Sequence, residues 1–277
     1  MTYRRRASPL HAARASVGAL WCVALVAVAL ALQHPLVLGA TFAAVLAAGA
    51  GARVGRLVLR SCLFGIPFGL AILLVNVAVT RSGLTVIGQL FGQDLTLEAL
   101  AAGAVFGLAA VVLVAVAALY SAAVDPDDLL RALRRVSFRS ALTAALATRM
   151  VPVLARDARR LADAQRCRAG APASQLTIVR AVASGALDRA LDVAATLEVR
   201  GYGAARSAPA VRRAWSRHDL GFAASAAGLL ALAALGRAPV DLYPRFAAPV
   251  DAGALGTAAA VLVVALAPFL DRRGTGR

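Results

Sequence analysis

Uncharged, strongly apolar runs fall at about 17 to 32, 35 to 52, 61 to 80, 99 to 124, 219 to 236 and 255 to 270, and a long charged insert, Asp125 to Arg217, parts the fourth from the fifth. A membrane-spanning helix needs about 20 apolar residues, within a range of roughly 17 to 25. The pattern predicts an all-α polytopic membrane protein with about six spans. The fourth run is amply long, while the first, second, fifth and sixth are short. Only Gln33 and His34 precede Pro35 between the first two runs, which predicts a tight hairpin or a partly re-entrant pair. Three parts follow: residues 1–124 with about four spans, a cytoplasmic module over 125–218, and 219–277 with the last spans and a short basic tail.

Inside the insert the hydrophobic period changes to that of amphipathic helices. "DPDDLLRALRRV" opens it, with Asp125 as N-cap, Pro126 at the first helical position, and Asp127 and Asp128 complementing the positive end of the helix dipole. Leu129, Leu130, Leu133 and Val136 share one face of this short helix, opposite Arg131, Arg134 and Arg135. A longer helix is predicted from about Ser140 to Ala169, kinked near Pro152, with Met150, Val153, Leu154 and Leu161 on its apolar side and Gly170 and Pro172 as its stop. Another is predicted from about Ala173 to Val199, with Leu176, Val179, Ala183, Leu187, Leu191, Ala194 and Leu197 at three- and four-residue intervals. At 1.5 Å per residue these helices are roughly 40 to 45 Å long. They are too charged to span, and their apolar faces predict a pair packed on each other and under the membrane part.

Composition sharpens the class. Hydrophobic residues make up 60% of the chain, against roughly 45 to 50% in a soluble domain. All thirty basic residues are arginine, so the G-x-x-x-x-G-K-[ST] phosphate loop is absent and the chain is not itself a P-loop ATPase. The formal charge of +16 would suit nucleic acid, but its placement among apolar runs argues for a membrane protein and no nucleic-acid partner. Four arginines lie in the amino-terminal tail, three at 53 to 60, seventeen in the insert and three in the carboxy-terminal tail; the alternate loops hold only Arg81, Arg237 and Arg245. Arginine-rich loops stay on the cytoplasmic side, so both termini and the insert are predicted to be cytoplasmic. A cleaved secretory signal ending near Ala29-Leu30-Ala31 is the alternative for the start, and an uncleaved first helix is the simpler reading.

The cores of the apolar runs hold no acid, histidine or arginine, and Asn76 is the one strongly polar residue of the third. Ion-coupled carriers place an ionisable group inside the bilayer, so that class is disfavoured. Gly51 with Gly55, and Gly103 with Gly107, have the small-xxx-small spacing of close helix contacts. Cys22, Cys62 and Cys167 are too scattered for a disulfide framework, and His11, His34 and His218 form no metal-ligand pattern. No cofactor is indicated.

Both long helices of the insert end on arginine beside small residues, at Cys167-Arg168-Ala169 and Val199-Arg200-Gly201. Ordinary capping explains a single such ending, since glycine takes the left-handed conformation cheaply and arginine favours the negative end of the dipole. Two such endings present two guanidinium forks, suited to carboxylates and helix-end carbonyls of a partner. These residues resemble the transmembrane (T) component of energy-coupling factor transporters, the EcfT/CbiQ-like family of ABC importers for vitamins and transition-metal ions. "LADAQRCRAG" is similar to its first signature, usually Ala-Gln-x-Ala-Arg-Gly, and "LEVRGYG" to its second, usually Glu-Ala-Arg-Gly-Tyr; "NVAVTRSG", "LTLEALAAG" and "DPDDLLRALRRV" resemble other segments. Cys167, Ala169 and Val199 depart from the usual triplets with side chains of small or moderate volume.

The resemblance implies that Arg168 and Arg200 dock on two ABC ATPase subunits, flanked by Cys167, Ala169, Val199 and Gly201 and supported by Gln165, Glu198 and Tyr202. It also implies a separate substrate-binding S component as a second membrane partner, and no catalysis by this chain. The competing readings are a membrane enzyme and a solute-conducting permease. The first lacks a nucleophile or base cluster in the insert, where Asp188 and Asp192 read as a solvated helix face, and the second lacks polar residues in the spans.

Overall fold

A computed structural model describes residues 6–80, 85–90, 93–133, 138–167, 174–201, 214–236, 240 and 247–271. The chain divides into two compact units, Met1–Leu129 with Trp215–Arg277, and Leu130–Ala214.

The first unit holds a short α1 (Pro9–Ala12) and the apolar helices α2 (Ala15–Ala31), α3 (Pro35–Gly51), α4 (Gly55–Val79), α5 (Leu97–Ala123), α9 (Arg217–Leu235) and α10 (Ala252–Leu270). Four of these, α4, α5, α9 and α10, are long and apolar enough to cross a membrane; α2 and α3 are shorter apolar helices of 17 residues each. Each predicted run lies on one of these helices, so the chain is an α-helical, multi-pass membrane protein. The helix of the third run begins before its predicted bounds of about 61 to 80. Helix α4 starts at Gly55, which puts Arg56 and Arg60 on its first turns instead of in a loop. The loop before α5 also holds a two-stranded antiparallel hairpin, β1 (Val86–Leu90) and β2 (Gln93–Thr96), that no apolar run had signalled.

Helices α4 and α5 meet through glycine. A Cβ on Gly69 would lie 2.8 Å from the Gly107 carbonyl oxygen, and one on Gly107 would lie 2.7 Å from that of Gly69. Gly65 and Gly103 continue the contact, against Val114 and Leu73 respectively. The spacing of Gly103 and Gly107 is thus a true close-contact stripe, whose counterpart is Gly65 and Gly69. Gly51 and Gly55 do not form one: Gly51 accommodates the Phe269 ring, and Gly55 abuts the backbone of Gly49 and Ala50.

Helices α2, α9 and α10 meet through aromatic rings and a polar relay. Trp21, Phe222 and Phe269 pack edge to face with centroids 5.3 to 5.9 Å apart. Trp21 Nε1 donates to Ser225 Oγ at 3.0 Å, and Ser225 Oγ donates to the Val264 carbonyl at 2.6 Å. The reason lies four residues on. Pro268, inside α10, has no N–H to give that carbonyl, so the hydroxyl of a neighbouring helix supplies the missing donor.

Several ionisable groups of this unit sit at helix ends. Asp219, at the edge of the fifth run, is fully buried, a placement its sequence position did not reveal. Its carboxylate accepts from the backbone N–H groups of Arg14 (2.7 Å) and Ser216 (2.9 Å) and pairs with Arg14 Nε at 3.3 Å. It thereby closes a capping box on α9 and joins it to the start of α2. Glu98 accepts from the Thr85 N–H and hydroxyl and so clamps the base of the hairpin. His34 Nδ1 accepts from Leu36 N–H at 3.2 Å, which leaves Nε2 as the donor to the Pro249 carbonyl at 3.3 Å. This histidine is a cap and a tie.

Substituting Gly107→Leu is expected to force α4 and α5 apart and cost about 1–3 kcal/mol or more, read as a lower Tm in detergent. Gly256→Ala, where the added Cβ meets nothing within 4 Å, is the matched control and should leave Tm nearly unchanged.

Candidate functional site

The second unit is built on α7 (Phe138–Arg166) and α8 (Gln175–Val199), preceded by α6 (Pro126–Leu133), which runs across the division between the units. Asp125 Oδ1 accepts from Asp127 N–H at 2.9 Å, so the α6 start forms as its sequence predicts. Helix α7 continues through Pro152, and the Ser174 hydroxyl caps α8 by accepting from Thr177 N–H. At 1.5 Å per residue the two helices are about 43 and 37 Å long.

Met150, Val153, Leu154 and Leu161 of α7 are half-buried, as their spacing predicts. For α8 the facing stripe agrees with the predicted one only at Leu197. Ile178, Val182, Ala186, Val193 and Leu197 are half-buried, whereas Leu176, Val179, Leu187 and Leu191 are exposed. Both stripes are apolar at helical spacing, and periodicity alone does not tell which one a neighbour covers. The choice is marked by a pair that spacing could not reveal, because its members lie on different helices: Arg189 Nη1 meets Asp157 Oδ2 at 3.0 Å. Arg189 thus turns toward α7, while Asp188 and Asp192 stay on the solvated side. No residue of α8 is fully buried.

The tip of α8 has a defined geometry. Gly201 takes φ +73°, and its N–H donates back to the Glu198 carbonyl at 2.9 Å, while Arg200 N–H donates to the Thr196 carbonyl. Glycine enters this left-handed region without the Cβ clash other residues suffer, so the helix stops abruptly after Arg200. Glu198 and Arg200 are exposed, and Val199 is 90% exposed. The Arg200 side chain has no hydrogen-bond or ion-pair partner among the described residues. At the tip of α7, Gln165 is half-buried, Arg166 pairs with Asp163 at 3.4 Å, and Cys167 is exposed with its N–H donating to the Asp163 carbonyl. Arg168, Ala169 and Tyr202 lie outside the described residues.

Chemically, the α8 tip displays an exposed guanidinium fork beside an uncovered valine. Among the described residues, no three His, Cys, Asp or Glu side chains group closely enough to hold a metal ion.

One unit of apolar helices long enough to cross a membrane and a second, arginine-rich unit of long helices define an α-helical multi-pass membrane protein. The family model described as CbiQ, cobalt transport protein, matches residues 6–210, so the chain belongs to that family and is a membrane component of a transporter. The match takes in α1 to α8 and ends before α9. No curated protein matches the chain.

The poor burial of α8 makes a testable difference between the units. Local opening costs least where few apolar groups are covered, so α8 amides should exchange hydrogen at least about tenfold faster than those of the central turns of α5 in the intact protein. Mass-spectrometric exchange in detergent measures this, and equal protection would refute it.

Proposed function

We propose that the chain is the transmembrane coupling component of an energy-coupling factor importer, in which residues 125–218 form the coupling module. Two ABC ATPase subunits, identical or different, grip Arg168, two residues past α7 in the sequence, and Arg200 at the end of α8, and a separate S component captures the solute in the membrane. Both termini and the coupling module face the cytoplasm of a bacterium, as the arginine distribution argues. Given the family, the cargo is a transition-metal ion of the cobalt type, bound by the S component.

The observation that carries this reading is Arg200, exposed at the abrupt end of a 25-residue helix with an uncovered valine beside it. A charged group displayed on a stiff rod suits force transmission. Closing and opening of the ATPase pair on nucleotide would move the rod ends, and regular hydrogen-bonded helices pass that displacement on with little internal give. A guanidinium desolvated against a carboxylate or helix-end carbonyls supplies the grip. Without a P-loop, this chain draws its energy from the partner subunits.

Arg168→Ala and Arg200→Ala should each weaken ATPase binding by about 2–5 kcal/mol, the range for truncating one side of a buried charged contact. Uptake should fall with binding, while membrane insertion and Tm stay unchanged. A pull-down in which both single variants and the double variant retain the ATPases at wild-type levels would reject the assignment.

A further inference from the structure

Away from the helix tips, arginines gather at the junction of α3 and α4. An open depression of about 640 Å³ there is lined by Arg6, Arg53, Arg56 and Arg60, with Val54 and Leu57 among its apolar lining. All four arginines are exposed, and no acid lines the depression among the described residues. We propose that this depression binds the phosphate of an anionic membrane phospholipid, with an acyl chain lying along the exposed apolar side of α4.

Charge is the first argument. Four guanidinium groups around one hollow repel each other, and an anion at its centre turns that repulsion into attraction. Arginine's planar fork can hold two phosphate oxygens at once, and it is less strongly hydrated than lysine's ammonium. The start of α4 adds to the field, because its N-cap, Val54, provides no side-chain acceptor and the positive end of the helix dipole lies there.

The backbone is the second argument. Arg53 has φ +58°, the only positive value among described non-glycine residues. Its N–H donates to the Ala50 carbonyl and that of Val54 to the Gly49 carbonyl, so α3 ends in the left-handed turn that glycine ordinarily fills. An L-residue there costs roughly 1–2 kcal/mol. Glycine stands at 49, 51 and 55, yet the strained position carries arginine. Arg6 Nη1 also donates to the Arg53 carbonyl, tying the amino-terminal segment to the same rim.

Beyond the arginines lies exposed hydrocarbon. Arg56, Arg60, Leu63 and Phe64 follow at three- and four-residue spacing along one side of α4, and Leu63 and Phe64 are 63% and 83% exposed. Charge gives way to uncovered hydrocarbon within one turn, at the place where a lipid changes from headgroup to chain. A free phosphate would use only the first half of this track. The inference needs the membrane setting alone and is independent of the partners proposed above.

The test uses the full chain in zwitterionic detergent, titrated with phosphatidylglycerol, phosphatidylcholine, or inorganic phosphate with glycerol 3-phosphate, and read by native mass spectrometry and Tm. Phosphatidylglycerol should bind saturably and raise Tm, and the other additions should not. Arg56→Gln and Arg60→Gln should each weaken binding by about fivefold, the usual effect of one basic residue at an anionic surface. Arg53→Gly should weaken binding similarly without lowering the lipid-free Tm, since it relieves the left-handed strain, and this separates lost affinity from lost fold. Equal stabilisation by phosphatidylcholine, replacement of phosphatidylglycerol by the free phosphates at equal concentration, or wild-type binding by a variant that combines Arg53→Gly, Arg56→Gln and Arg60→Gln would overturn the proposal.

Discussion

Hydrocarbon donates and accepts no hydrogen bonds, so every polar group that enters the bilayer must be answered from within the protein. This constraint organises the apolar unit. Pro268 strips a donor from the Val264 carbonyl, and Ser225 of another helix restores it while accepting from Trp21, which joins α2, α9 and α10 through one hydroxyl. Thr41 and Ser121 return their hydroxyls to carbonyls one turn back in their own helices. The ionisable groups Asp219, Glu98 and His34 stand at helix ends, where each caps a helix or ties two segments. With polar chemistry confined to fasteners, close approach is left to glycine, and α4 and α5 meet backbone to backbone at Gly69 and Gly107.

The second unit follows the opposite logic. Its long helices share a half-covered seam and one partly exposed ion pair, Asp157 with Arg189, of a kind worth at most about 1 kcal/mol. Helix α8 keeps no residue fully buried and leaves Leu176, Val179, Leu187 and Leu191 uncovered. A helix so little covered owes its length to local hydrogen bonding, to its Ser174 cap and to the abrupt stop at Gly201. Such a rod is stiff along its axis and uncovered along its side and at its tip, as the proposed coupling role requires.

Much of this was legible in the chain. Apolar runs located the six spanning or near-spanning helices because burial in lipid needs no partner information, only length and lack of charge. What depended on a distant neighbour was harder. The Gly103 and Gly107 spacing was visible, but its partner stripe in α4 is a matter of three-dimensional pairing. Asp219 read as the margin of a run until Arg14, some two hundred residues earlier, came to rest beside it. On α8 two apolar stripes carry the same period, and α7 covers the one that the spacing argument passed over. At the candidate site, the stop at Gly201 and the exposure of Arg200 agree with what local sequence implies about helix endings. The role of the arginine comes instead from resemblance to a family, because no intramolecular contact expresses it.

The proposed coupling role requires the tips of α7 and α8 to meet ATPases at the cytoplasmic face, and native Cys167, exposed and next to Arg168 in the sequence, is the probe for it. The direct measurement is labelling of Cys167 by a membrane-impermeant maleimide in intact cells and in inverted vesicles, with and without the transporter's own ATPase pair. A coupling role requires no labelling of intact cells, full labelling of stripped inverted vesicles, and protection once the ATPases are added back. Labelling from outside the cell, or labelling of inverted vesicles that the ATPases leave unchanged, would contradict it.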